Sequence, residues 1–232
     1  KKRVLAVTSG GANKSAGGAT MATQGMGGVG KTTAASALIR DDEVRSAFER
    51  LLWVSIGQEP DLLQLLKVLH FQLTSSKMPP DVEAERDAVQ VLREAAKGMK
   101  LLLILDDCWD QKHASALNCI DATTNSACVI TTRVKNLAEA SNEVKCGLLS
   151  LEESLSLLLK SAGLEHLIDN PPAAAIEACE CCGHLALALP IAGGMITELD
   201  ELWESELVPM LKADLAEELS VEQRIVNASL KC

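Results

Sequence analysis

Residues 25–32 read Gly-Met-Gly-Gly-Val-Gly-Lys-Thr, a glycine-rich segment that ends in Lys-Thr. Their spacing fits the pattern G-x-x-x-x-G-K-[ST], in which glycines let successive backbone N–H groups turn inward around phosphates without obstruction by side chains. A helical stretch follows at Lys31, and its positive end adds to the attraction for an anion. We therefore expect a phosphate-binding loop that joins a β-strand to an α-helix.

The loop also predicts which residues meet the ligand. The ammonium group of Lys31 would reach the terminal phosphates, and the hydroxyl of Thr32 would bind a magnesium ion. A glycine-rich flexible linker is the alternative, but a linker does not require Lys-Thr at this spacing before a helix. The candidate nucleotide-binding residues are Gly25, Gly27, Gly28, Val29, Gly30, Lys31, Thr32 and Thr33.

Two later segments would complete such a site. The aliphatic run Leu101–Leu105 predicts a strand buried on both faces, and Asp106 and Asp107 follow it directly. Asp106 is a candidate metal ligand together with Thr32, while Asp107 is a candidate catalytic residue that orients or deprotonates a water molecule. Arg133 ends another strand and is the second catalytic candidate, acting on the terminal phosphate. An ordinary surface arginine that starts a helix at 134–140 remains the alternative.

The pattern of apolar residues along the sequence changes near residue 148. Before it, short apolar runs alternate with amphipathic helices, which is typical of a parallel sheet with crossover helices; after it, every periodic segment is helical. The predicted strands are 21–24, 51–56, 101–105, 128–131 and 144–148. Helix starts are predicted at Asp61, at Pro79-Pro80-Asp81 (running to about Lys97), at the capping box Ser150–Glu153, and at Asn170-Pro171.

Composition excludes several functions. The 32 acidic and 22 basic residues give a net charge of -10, and aromatic residues make up 2% of the chain, so a nucleic-acid partner is not expected. The longest apolar stretch, His184–Ile196, is shorter than the roughly 20 residues that span a membrane. The eight cysteines fall mostly in apolar or helical runs, which favours a reduced, cytoplasmic protein without a membrane partner.

These motifs, in this order, resemble the NB-ARC nucleotide-binding module of the STAND class of P-loop NTPases, found in plant disease-resistance receptors and apoptosome proteins. The resemblance rests on GMGGVGKTT at 25–33, LLWVS at 51–55, LLLILDDCWD at 101–110, CVITTR at 128–133 and LSLEESLSLL at 149–158. It implies an α/β P-loop NTPase sheet flanked by helices, followed by a small all-helical, ARC1-like subdomain.

The resemblance also divides the chain. Residues 1–18 are interpreted as a leader or linker, although Gly10–Ser15 nearly copies the phosphate loop. Residues 19–148 would form the nucleotide-binding domain and 149–215 the helical subdomain. Residues 216–232 resemble the truncated start of a winged-helix subdomain.

The function implied by the resemblance is an ADP/ATP-binding regulatory switch with slow ATP hydrolysis, part of a larger signalling or defence receptor. ADP would hold the helical subdomain closed and ATP would release it. ADP or ATP with Mg²⁺ would be the cofactors. The expected partners are adenine nucleotide, other domains of a longer parent chain, and a nucleotide-dependent homo-oligomer.

Two alternative functions remain open at this stage. One is a metabolic or partitioning P-loop ATPase or kinase; the other is a scaffold that binds ADP and never hydrolyses ATP. The sequence also departs from the family in one place, because His184 and Ala186 stand where the Gly-Leu-Pro-Leu signature has glycine and proline. This departure puts the adenine contacts of that loop in question.

Two further features are interpreted as structural. Four candidate metal ligands crowd into Cys179–His184, whereas zinc sites usually combine two separated pairs, so these cysteines are expected to pack as small apolar side chains. Trp53 and Trp109 are expected to be core residues at strand ends rather than groups that stack on a ligand.

Overall fold

The computed structural model describes residues 1–2, 4–5, 19–134, 137 and 143–213. The chain divides into two compact units. The first, which we call the sheet unit, comprises Lys1–Gly27 and Lys31–Cys146. The second, the helical unit, comprises Gly28–Gly30 and Gly147–Cys232. The predicted helix at 134–140 and the predicted winged-helix segment at 216–232 lie largely or wholly outside the described residues.

The described part of the sheet unit contains one parallel sheet of five strands in the order β2-β3-β4-β1-β5. The strands are β1 Ala19–Gln24, β2 Arg50–Gly57, β3 Leu101–Cys108, β4 Ala127–Thr132 and β5 Glu143–Lys145. The carboxyl ends of parallel strands lie at one edge of a sheet, so the phosphate loop after β1, the aspartates of β3 and the residues after β4 meet there. The predicted α/β sheet is confirmed.

Two strands end three residues away from the predicted position. β3 continues through both aspartates to Cys108, and β5 is three residues long rather than running to Leu148. After β5 the N–H of Cys146 still donates to the carbonyl of Gln24 at 2.8 Å, and then the chain leaves the sheet.

Eight α-helices have both ends within the described residues. They are α1 Lys31–Arg40, α2 Asp42–Ala47, α3 Leu62–Thr74, α4 Glu85–Ala96, α5 Gln111–Leu117, α6 Leu151–Ser161, α7 Ala173–Cys181 and α8 Ala188–Leu199. Further helical backbone covers 203–213, and short 3₁₀ turns cover Glu165–Leu167 and Asp200–Leu202. Two predicted caps are confirmed: the Asp61 carboxylate accepts from the Gln64 N–H at 2.9 Å, and Ser150 and Glu153 form the capping box.

Both proline-based helix starts were placed too early. In each pair the first proline precedes another proline, and a residue in that position is disfavoured in helical conformation. Pro79 instead accepts a bond from the Val82 N–H at 3.1 Å in a turn, and α4 begins after Ala84. Pro172, with ψ 154°, precedes α7, so that helix starts two residues later than predicted.

Strand β3 is buried on both faces of the sheet, as its aliphatic run predicts. All five residues of Leu101–Leu105 are fully buried. Alternate side chains point to opposite faces of a strand. Leu103 and Leu105 accordingly pack with α3, α4 and α5, while Leu102 and Ile104 join a second cluster with Val44 and Phe48. This central strand fixes the position of the two aspartates at its end.

Candidate functional site

The phosphate loop holds its lysine inward. Lys31, the first residue of α1, is buried, and its Nζ donates to the carbonyl oxygens of Gly25 at 2.9 Å and Met26 at 2.8 Å. Burial lowers the pKa of Lys31, and the positive charge of Arg133 lowers it further. An ammonium group has three N–H donors, and these two bonds use two of them.

The loop glycines have conformations or surroundings that a side chain would disturb. Gly28 and Gly30 have φ values of 78° and 92°, in the left-handed region. At Gly27, an added Cβ would lie 3.1 Å from Nη1 of Arg133. The glycines therefore keep the inner surface of the loop free of side chains, as a phosphate cradle requires.

Within the helical unit, Gly28–Gly30 contact the segment that carries the departure from the family signature. The N–H of Leu187 donates to the carbonyl of Gly28 at 3.0 Å, and an added Cβ at Gly30 would lie 3.3 Å from the methyl group of Ala186. His184 has φ 56°, and its Nδ1 lies 3.1 Å from the hydroxyl of the fully buried Ser154.

Two hydroxyl groups, one from α1 and one from β4, converge on the carboxylate of Asp106. The Thr32 hydroxyl donates to Oδ1 of Asp106 at 2.9 Å and to Oδ2 at 3.2 Å. The hydroxyl of Thr131, on β4, donates to the same Oδ1 at 2.6 Å. Asp106 is only 5% exposed, so its orientation is well defined. Hydroxyl and carboxylate oxygens are hard donors of the kind that Mg²⁺ prefers, and this set fits the ion.

The backbone changes direction immediately after Asp106. Asp107 has φ 52°, and the pairing of β3 with β4 shifts register between Leu105 and Cys108. The N–H of Asp107 donates to the Thr131 hydroxyl at 2.9 Å. As a result Asp106 is buried, whereas the side chain of Asp107 is 40% exposed. Two adjacent carboxylates thus have different surroundings, one fixed by hydroxyl groups and one accessible to water.

Arg133 lies beside this second carboxylate. Its Nε is 3.9 Å from Oδ1 of Asp107, and its Cζ is 5.4 Å from the centre of the Trp109 ring. Trp109 is half-buried, and the contact of its ring with Arg133 was not predicted.

Five of the predicted residues of the sheet unit therefore lie close together. Lys31, Thr32, Asp106, Asp107 and Arg133 come from three segments of the chain and meet at the carboxyl edge of the sheet. Of the remaining candidates, Val29 is buried and Thr33 is exposed on the first turn of α1. Thr131 was missed, although the Thr-Thr-Arg ending of β4 was visible in the sequence.

The cysteine cluster shows no metal geometry. Among the described residues, no group of three or more His, Cys, Asp and Glu side chains is arranged to hold a metal ion. Cys179 is fully buried, and burial raises its pKa to about 12, which keeps the thiol protonated. Cys179 and Cys182 pack in the core of the helical unit with Leu158 and Leu189.

The sequence is similar to that of a known domain and of several known proteins. The NB-ARC domain matches residues 9–167, more than half of the chain. The putative disease resistance protein RGA4 of Solanum bulbocastanum is 28% identical over 213 residues, which cover 81% of this chain and 21% of that protein. The putative disease resistance RPP13-like protein 1 of Arabidopsis thaliana is 34% identical over 125 residues, or 51% of this chain and 12% of that protein. The chain thus spans about a fifth or less of the length of these relatives.

Solved structures share the fold. The ORC2 protein of Aeropyrum pernix, solved as ADPNP–ADP complexes, has a TM-score of 0.57 at 15% identity and covers 90% of this chain and 67% of its own. A STAND protein with a tetratricopeptide repeat sensor from Pyrococcus horikoshii has a TM-score of 0.50 at 20% identity and covers 90% of this chain and 32% of its own. None of the helices in the described residues is long and apolar enough to cross a membrane. The resemblance noted from the motifs is confirmed, and the chain belongs to the NB-ARC family.

Proposed function

We propose that this chain is the nucleotide-binding regulatory module of a longer defence receptor, which alternates between ADP- and ATP-bound states and hydrolyses ATP slowly. The observation that carries the proposal is the convergence of Lys31, Thr32 and Asp106 at the carboxyl edge of the sheet. The NB-ARC match, the disease-resistance names of the relatives and the nucleotide complexes of the ORC2 structure support it.

Phosphate groups would be bound mainly by the backbone. The N–H groups of Gly27–Thr33 and the dipole of α1 favour an anion at the start of this helix. Lys31 would exchange its bonds to the carbonyls of Gly25 and Met26 for bonds to phosphate oxygens. Bonds between charged partners are stronger than the bonds to neutral carbonyls that they replace.

Thr32 and Asp106 would hold Mg²⁺, which when bound offsets the negative charge of the phosphate oxygens. Thr131 would keep the Asp106 carboxylate in place through its hydroxyl. Loss of a donor that supports a metal ligand typically lowers metal affinity or activity about 10- to 100-fold. The position of the Asp106 carboxylate would therefore depend on Thr131 of β4 and Thr32 of α1.

For hydrolysis, Asp107 would accept the proton of the attacking water, and Arg133 would stabilise the charge that develops on the terminal phosphate. The exposed carboxylate of Asp107 and its 3.9 Å separation from Nε of Arg133 support this pairing of roles. Slow hydrolysis would suit a timer. Nucleotides can act as a switch only if they bind its two states with unequal affinity.

The proposed function can be tested on freshly purified protein. Denaturation should release ADP in near-stoichiometric amount, and phosphate release from ATP should be slow and depend on Asp107. Turnover of roughly one per second or faster, the range of ordinary enzymes, with an empty site after purification would instead favour a metabolic or partitioning ATPase. Bound ADP without phosphate release above background, and with unchanged binding in Asp107→Ala, would favour a scaffold.

A further inference from the structure

The guanidinium group of Arg133 is held on three sides although half of its side chain, 52%, is exposed. The ring of Trp109 lies 5.4 Å from Cζ, within the roughly 6 Å reach of a cation–π interaction. Asp107 flanks Nε at 3.9 Å. On the third side, the guanidinium lies close enough to Gly27 that an added Cβ there would be 3.1 Å from Nη1.

The strand register places Trp109 and Arg133 side by side. Cys108 pairs with Thr132, and these are the residues that immediately precede Trp109 and Arg133. The Thr132 hydroxyl donates to the Cys108 carbonyl at 2.7 Å and accepts from the N–H of Val134 at 2.9 Å. One buried hydroxyl therefore ties together the two chain segments that carry the ring and the guanidinium.

We propose that Trp109 is a positioning residue that sets the preference for ATP over ADP by holding the Arg133 guanidinium beside the phosphate loop. This rests on the proposed function, in which Arg133 acts on the terminal phosphate. An exposed arginine loses rotamer freedom when it binds a ligand, and a side chain already held in place loses less. Because ADP lacks that phosphate, the stacked ring favours the binding of ATP and leaves ADP affinity unchanged.

Equilibrium binding of Mg·ADPNP, a non-hydrolysable ATP analogue, and of Mg·ADP to nucleotide-stripped protein tests this. Trp109→Leu should lower the ratio of ADPNP affinity to ADP affinity roughly two- to fivefold at unchanged ADP affinity. Trp109→Phe, which keeps an aromatic face, should restore most of the ratio. Trp53→Phe, on β2, controls for tryptophan removal and should leave the ratio unchanged.

A double-mutant cycle shows whether the ring acts through the arginine. Trp109→Leu should have no further effect on the ratio once Arg133 is alanine, because the two changes remove the same interaction. Arg133→Lys keeps the charge but loses the planar stack. With Trp109 in place, Arg133→Lys should lower the ratio of ADPNP affinity to ADP affinity. This test does not depend on the stability of the Trp109 variants.

An unchanged ratio in either Trp109→Leu or Arg133→Lys, or additive effects in the cycle, would overturn the positioning role. The proposed function would survive that result if Lys31→Ala still abolished binding of both nucleotides. Binding that is independent of Lys31 would overturn the proposed function itself, and the two failures are therefore distinguishable.

Discussion

The hydroxyl of Thr32 and the carboxylate of Asp106, from residues 74 positions apart in the sequence, meet at 2.9 Å. Thr32 lies in the first turn of α1, directly after the loop that follows β1, and Asp106 lies near the end of β3. The strand between β1 and β3 is β4, and its Thr131 supplies the second hydroxyl to the same carboxylate. The strand order therefore determines which side chains surround the proposed metal ligand.

Thr131 should contribute to nucleotide affinity in the presence of magnesium and contribute little in its absence. Replacing Thr131 by valine keeps its shape but removes the bonds to Oδ1 of Asp106 and from the N–H of Asp107. We expect ADP affinity measured with Mg²⁺ to fall about tenfold, and affinity measured with EDTA to change little. Thr131→Ser should retain most of the magnesium effect. An equal loss with and without Mg²⁺ would show a general disturbance of the loop instead.

Nucleotide affinity should decline as the pH becomes alkaline. The decline should begin at a lower pH than it would if Lys31 had the pKa of an ordinary lysine. The pKa of Lys31 is lowered by burial and then by Arg133, and phosphate binding would raise it again. The complex would then carry more protons than the free protein, so affinity falls as pH rises through the lowered pKa of the free state. Titrations of ADP across this range check the direction.

Two variants isolate the lysine as the cause. Arg133→Ala removes a positive charge and raises the pKa of Lys31, so the decline in ADP affinity should move to higher pH. Lys31→Arg stays protonated throughout, and whatever affinity remains should not show this decline. A decline of the same shape in Lys31→Arg would assign the titration to another group.

The loop and the aspartates were predictable because both depend on local sequence. A phosphate loop is identified by its glycines and by Lys-Thr at a fixed spacing. The apolar run Leu101–Leu105 predicts a buried strand, and the aspartates follow it directly in the sequence. Thr131 and Trp109 were not predictable in their present roles. Their contacts depend on β4 lying beside β3 and on the register shift after Leu105, neither of which is a local property.

The predicted helix starts were wrong at the prolines, because proline suits both the first turn of a helix and a tight turn. Pro79 has the fixed φ that suits the first turn of a helix and equally the corner of a tight turn. The structure uses it in a turn, which helps to bury Val82 against the sheet unit's larger apolar cluster. Asp61 and Ser150 were reliable because their side chains bond to helix N–H groups directly.

Adding a side chain at one of two adjacent glycines of the helical unit should lower the stability of the protein, and adding one at the other should not. An added Cβ at Gly193 on α8 would lie 2.6 Å from Cβ of Ser161 and 2.9 Å from the carbonyl of Leu158, both on α6. At Gly194 an added Cβ meets nothing within 4 Å. Gly193→Ala should destabilise the protein by about 1–3 kcal/mol, whereas Gly194→Ala should stabilise it by up to about 1 kcal/mol. Denaturant unfolding of both variants measures the difference, and equal effects would contradict the close helix crossing.

Gln72 should protect the outer edge of the sheet. β2 is an edge strand, and the Gln72 side chain accepts from the Trp53 N–H at 2.9 Å and donates to the Trp53 carbonyl at 2.8 Å, as a neighbouring strand would. Gln72→Leu should speed hydrogen exchange of the Trp53 amide and promote concentration-dependent association. Gln64→Leu, an exposed position on the same helix, controls for added apolar surface. Association that is equal in the two variants would show that the edge is not involved.

The most direct measurement is a calorimetric titration of Mg·ADP into nucleotide-stripped protein, compared with Lys31→Ala shown to be folded by its unfolding curve. We predict one binding site per chain in the unaltered protein and no measurable binding in the variant. Equal affinity in the two proteins, or no binding to the unaltered protein, would contradict the claim that residues 25–33 enclose the phosphates of a nucleotide.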